Sequence, residues 1–108
     1  MNMGERGQIK IGNIFLYTHW EGYAIKKMLQ NALAKKWRWD DEEYLRRIIF
    51  CEMVKNDIEQ ETGYGIGDAL HTDLNYPLLE VDVKNQEIIE DKKKWSFEKF
   101  IKEKFKEE

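Results

Sequence analysis

The sequence predicts an α+β fold in the order ββααββα, with an antiparallel sheet of about four strands packed against helices. Three observations carry that expectation. Residues 8–19 and 76–90 show strand-like apolar runs, residues 25–53 repeat apolar positions with helical spacing, and short turn dipeptides break the strand-like runs. At 108 residues the length is that of one domain, so residues 1–108 are expected to form a single α+β domain.

The first two strands flank Gly12-Asn13, a dipeptide suited to a tight hairpin turn. Alternation in the second puts Phe15, Tyr17 and His19 on one face and Ile14, Leu16 and Thr18 on the other. Both faces carry bulk, so this strand is expected to be covered on both sides. After Gly22 the spacing of Ile25, Met28, Leu29, Ala32 and Leu33 is that of a helix with one buried stripe. Lys35–Trp39 leads into a second helix. Its start is expected at Asp40 as N-cap with Glu43 three residues on, and its acidic first turn suits the positive end of the helix dipole. Leu45, Ile48, Ile49 and Met53 form its core stripe, and it is expected to end near residue 60.

Thr62–Asn75 reads as a long irregular loop around Gly63, Gly65 and Gly67, and loops of that length often carry function. Tyr76–Val83 returns to strand character, with Pro77 near its start. Lys84-Asn85 turns into a return strand, Gln86–Glu90. The charged run Asp91–Lys94 then leads to a last helix capped by Ser96. Phe97, Phe100, Ile101 and Phe105 line that helix, a stripe to be covered by the sheet or by a second subunit, so a homodimer is one expected assembly.

Composition excludes several classes. An apolar fraction of 42%, with 13% aromatics, is that of a folded chain rather than a disordered one. No apolar run approaches the roughly 20 residues that span a bilayer, so no membrane association is expected. Met1–Gly7 lacks the apolar core of a secretory signal, which points to a cytoplasmic location. Cys51, the one cysteine, sits in an apolar run and reads as a buried, inert thiol.

Charge is unevenly spread. Residues 1–39 hold seven basic and two acidic groups, residues 40–91 four and fifteen, and residues 92–108 seven and four. The net charge of −3 and the acidic middle oppose duplex DNA as a partner.

Candidate chemistry gathers in Tyr17-Thr18-His19-Trp20-Glu21-Gly22-Tyr23, where a strand hands over to a helix. His19 could hydrogen-bond a phosphate or move a proton, or could simply tie the strand end to a neighbouring loop. Trp20 could stack on a base or serve as a core-edge residue. Lys35-Lys36-Trp37-Arg38-Trp39 interleaves cations with rings, as a nucleotide-holding surface would. The Gly63–Gly67 segment, with Tyr64 inside it, permits close backbone approach, but it lacks the Gly-Lys-Ser/Thr of a P-loop and reads more readily as a flexible turn after the second helix. Asp68, His71 and Asp73, with His19, match no standard metal spacing, so neither a metal nor a cofactor is expected.

Met3-Gly4-Glu5-Arg6-Gly7-Gln8-Ile9, then Ile14–Tyr23 and the later Tyr76-Pro77-Leu78-Leu79-Glu80-Val81-Asp82, resemble the motifs of a diffuse group of small prokaryotic and phage proteins. Their pattern is Met-Gly-x-Arg-Gly/Ser-x-Ile followed by Ile-Tyr-x-His-Trp-Asp-Gly-Tyr-Pro; here Glu21 replaces the Asp and Ala24 the Pro. The group supplies no established activity. The resemblance implies a shared pocket around Arg6, His19, Trp20, Gly22 and Tyr23, and a mobile-element context.

Three functions follow as expectations. The first is a non-catalytic binding protein that holds a phosphorylated small ligand, such as a nucleotide or signalling nucleotide, through Arg6, Tyr17, His19, Trp20, Tyr23, Trp37, Arg38 and Tyr64. The second is a protein–protein interaction module, or inhibitor of a host protein, whose acids Glu42, Glu43, Glu52 and Asp57 meet a basic partner. The third is a small hydrolase or nuclease with His19 as its catalytic residue.

Overall fold

The computed structural model describes residues 4–105; Met1–Met3, which open both the N-terminal reading and the resembling motif, lie outside them. Gly12 takes a left-handed φ of 64°, open to glycine without steric cost, and folds β1 (Gly7–Ile11) onto β2 (Ile14–Thr18) with Ile11 opposite Ile14. A 3₁₀ turn (Gly22–Ala24) enters α1 (Ile25–Ala34), which is followed by α2 (Glu42–Val54). Next come β3 (Tyr64–Gly67), β4 (Leu79–Asp82), β5 (Glu87–Glu90), β6 (Lys93–Ser96) and the single-turn α3 (Phe97–Phe100). The fold is α+β, as expected.

Its sheet differs from the expected one. Six strands run in the order β3-β2-β1-β4-β5-β6, and the sheet is mixed because β1 and β4 pair in parallel, Ile9 beside Leu79 and Ile11 beside Val81. Two strands escaped the sequence pattern. β3 is short and half glycine, so it offers no alternation; β6, Lys-Lys-Trp-Ser, contains one apolar residue. Asp91, at φ 52°, turns the chain back into β6 where a direct run into the last helix was expected. That helix shrinks to one turn, with the Ser96 hydroxyl accepting from the Lys99 amide as anticipated.

Smaller corrections have local causes. Asp41 rather than Asp40 caps α2, its carboxylate accepting from Tyr44 N at 3.1 Å. The helix stops at Val54, and the polar stretch that follows has no apolar stripe with which to extend it. Cys51 is exposed, because the buried stripe runs through Leu45, Ile48, Ile49, Glu52 and Met53 and leaves its thiol outside, beside Arg47. β2 buries Leu16 and Thr18 fully but its other face only partly.

Helices α1 and α2 cover one face of the sheet, where Ile9, Ile11, Leu16, Val81 and Ile88 meet Leu29, Leu33, Leu45 and Ile49 in one core. Each such side chain stabilises the fold by about 1.5–3 kcal/mol on burial. Phe97 and Phe100 are fully buried in that core, and Phe105 packs on Trp95 and Phe100. The chain thus covers its own phenylalanine stripe, which removes the reason for a dimer there. Among the described residues no helix is long and apolar enough to cross a membrane.

Candidate functional site

Backbone bonds draw three distant segments to the open end of the β1–β2 hairpin. Glu5 N donates to His19 O at 2.8 Å, His19 N to Gly63 O at 2.9 Å, and both Asn75 N and Tyr76 N to Arg6 O. Gly22 N donates to Glu5 O at 2.6 Å, and a Cβ at Gly22 would stand 2.6 Å from that same oxygen and 2.7 Å from the Tyr76 ring. Only glycine fits this crossing. Tyr76 Oη donates to Glu5 Oε1 and closes the corner.

The side chains above this corner form one cluster. Tyr17 Oη lies 2.7 Å from His19 Nδ1, the Tyr17 ring stacks on His71 at 4.2 Å and 12°, and the His19 ring meets Trp20 edge-on at 4.2 Å. Burial pushes the Tyr17 phenol pKa up; Arg6 opposes that rise and Asp73 adds to it. A phenol with a raised pKa stays protonated near neutrality and keeps its hydroxyl available to the His19 ring nitrogen. Nε2 faces Gly4, where a Cβ would lie 3.2 Å away. His19 is thus held from the Nδ1 side by Tyr17 and lies beside the Gly4 backbone on the Nε2 side.

Asp73 bridges Arg6 and His71: its carboxylate is 3.5 Å from Arg6 Nε and 3.8 Å from His71 Nδ1. Arg6 N also donates to Asn75 Oδ1 at 2.8 Å. The loop that carries His71, Asp73 and Asn75 is pinned to the sheet by Gln8, which is 1% exposed. Its amide donates to Ala69 O at 3.1 Å and accepts from His71 N at 3.0 Å. Trp20, half exposed, and Asp73, more so, open the cluster to solvent.

Four of the expected site residues, Arg6, Tyr17, His19 and Trp20, thus meet. Tyr23 stands three residues on, half-buried in the 3₁₀ turn. Trp37 and Arg38 belong to a different region. Lys35 lies over the Trp37 ring, Arg38 over Tyr44 and near Asp41, and the motif's last ring, Trp39, is structural, donating to Leu33 O at 3.0 Å and packing edge-on against Phe97. Tyr64 donates to Glu21 Oε1, and burial together with that carboxylate drives its pKa upward. It lines a separate cleft of about 430 Å³ with Glu21, Lys27, Met28, Lys55 and Asp57.

Sequence spacing brought His71 and Asp73 forward as possible metal ligands, and Gln8 and Asn75 not at all. The signal available was the length of the loop they hold down. Among the described residues no group of three or more His, Cys, Asp or Glu side chains is placed to hold a metal ion. Glu52 leaves the expected acidic face: it is buried, bridged by Lys35 at 3.3 Å and Lys55 at 2.7 Å. The chain matches no protein-family model, no curated protein and no solved structure.

Proposed function

We propose that this chain is a non-catalytic binding protein for a small phosphorylated ligand, such as a nucleotide, held at the Arg6–Tyr17–His19–Trp20–His71 cluster. The observation that carries the reading is the position of Asp73. Its carboxylate bridges Arg6 and His71 from an exposed loop, where it stands in for an external phosphoryl group with the same preference for a guanidinium and an imidazole. A ligand phosphate displaces Asp73 from Arg6 and His71, and a base or similar ring stacks on the exposed face of Trp20. The site is narrower than the sequence suggested, since Trp37 and Arg38 take no part.

Calorimetric titration with nucleoside mono- and triphosphates tests this, preceded by mass spectrometry of material released on denaturing natively purified protein. Binding is expected to weaken by about tenfold or more in Trp20→Ala, the scale of one lost base–aromatic stack. It is expected to tighten in Asp73→Asn, which removes the competing carboxylate. No heat with any nucleotide and an empty supernatant would overturn the reading. So would ligand binding that ignores both substitutions.

A further inference from the structure

The two edges of the sheet are built differently. β6 carries Lys93 and Lys94, both exposed, and charged side chains of this kind discourage pairing with another chain. β3, at the opposite edge, reads Tyr-Gly-Ile-Gly, with no charge and no proline, and Ile66 is 61% exposed. β3 ends the strand order, so its outer flank pairs with no other strand, and a Cβ on Gly65 or Gly67 would meet nothing within 4 Å, so the sheet face is open there too.

The direction of its free backbone groups follows from the register. Gly65 faces Tyr17 and Gly67 faces Phe15, while the bond from His19 N to Gly63 O fixes the odd-numbered residues of β3 as the hydrogen-bonded partners of β2. Tyr64 and Ile66 therefore point their N–H and C=O groups away from the sheet. Charge sets what can pair there. Glu21 bonds Tyr64 and Asp57 approaches Gly63 at one end, where Lys27 and Lys55 line the adjoining cleft, and exposed Asp68 follows Gly67 at the other, with no lysine or arginine beside it in the chain from Tyr64 to Asn75. In an antiparallel pairing of two copies, Asp68 of each would come to the Glu21–Asp57 end of its partner. Like charges oppose that occupant.

We propose that β3 is a strand-addition site for an extended segment of a partner protein, with alternating β-branched or apolar residues flanked by lysine or arginine. The main chain of Tyr64 and Ile66 supplies the pairing bonds, Ile66 receives an apolar side chain, and Asp57, Glu21 and Asp68 select basic flanks.

The probe is a capped, fluorophore-labelled peptide of alternating valine and threonine between lysine pairs, titrated against the full chain by fluorescence anisotropy. Saturable binding is expected, with slowed amide exchange at Tyr64 and Ile66, and loss of affinity of about tenfold or more when the lysines become glutamates. Ile66→Pro removes an outward N–H without taking a bond from β2. It should abolish peptide binding while leaving unfolding and the nucleotide titration unchanged. If that variant proves unfolded, N-methylation of alternate peptide amides makes the same test on intact protein. Equal affinity for the glutamate-flanked peptide, binding insensitive to N-methylation, exchange protection elsewhere, no binding at all, or a concentration-dependent dimer that blocks the peptide would each overturn the proposal.

Discussion

On its helix-covered face the sheet is dry, with Ile9, Ile11, Leu16 and Ile88 fully buried, whereas on the opposite face Gln8 and Tyr17 meet a loop through two hydrogen bonds and one stacked ring pair. The dry face distributes its free energy over many apolar contacts and tolerates no movement. The polar face rests on a few directional bonds, each of which a ligand or water could replace at modest cost. The candidate site lies on the second.

Substitutions that sharpen this contrast rank by size. Phe97→Ala, which empties a fully buried aromatic position beside Trp39, is expected to cost about 3–5 kcal/mol in denaturant unfolding. Gln8→Ala on the polar face should cost about 1–2 kcal/mol, with faster amide exchange at His71 and the dry core's exchange unchanged. Equal losses from the two substitutions would erase the distinction between the faces.

Glu52 sits between these extremes in character, a carboxylate at the margin of the dry core. Desolvation raises its pKa, but hydrogen bonds from Lys55 and Lys35 outweigh it and hold the group below the ordinary glutamate value. Its contribution is therefore complete above the unfolded glutamate pKa and is lost as pH falls through the depressed folded value. Glu52→Gln should lower stability at pH 7 by about 1 kcal/mol, since both lysines keep water. It should also flatten the acid limb of a stability–pH curve. Smallest of all, Trp37→Ala is expected to change stability by no more than about 0.5 kcal/mol and to leave nucleotide binding intact, because the ring is mostly exposed and apart from the cluster.

Legibility in the sequence followed periodicity. The first hairpin, α1, the stripe of α2 and the Ser96 cap could all be read because each is fixed by residues within a turn or two of one another. β3 and β6 could not. Gly65 and Gly67 leave Ile66 without an alternating partner, and Trp95 is a single apolar residue among lysines, so neither strand is specified except by the neighbour it pairs with. The parallel contact of β1 with β4 likewise has no local signature. At the handover from β2 to the 3₁₀ turn, the proximity of Tyr17, His19 and Trp20 followed from their closeness in sequence. The Lys-Lys-Trp-Arg-Trp segment lies apart from that cluster, in a link between α1 and α2 with left-handed φ at Lys36 and Arg38, where Trp39 bonds the end of α1 and Arg38 lies on Tyr44.

The parallel seam between β1 and β4 also governs the order in which the chain can assemble. Its two strands are separated by all of β2, both long helices and β3, while the hairpins on either side close through short turns. During synthesis the N-terminal hairpin and helices emerge with one flank of β1 still bare, and only the arrival of Leu79–Val81 seals it. Closing so long a loop is the slow, entropically costly event. Until then the nascent chain presents a second adhesive strand edge, one that the finished protein hides at the centre of its sheet.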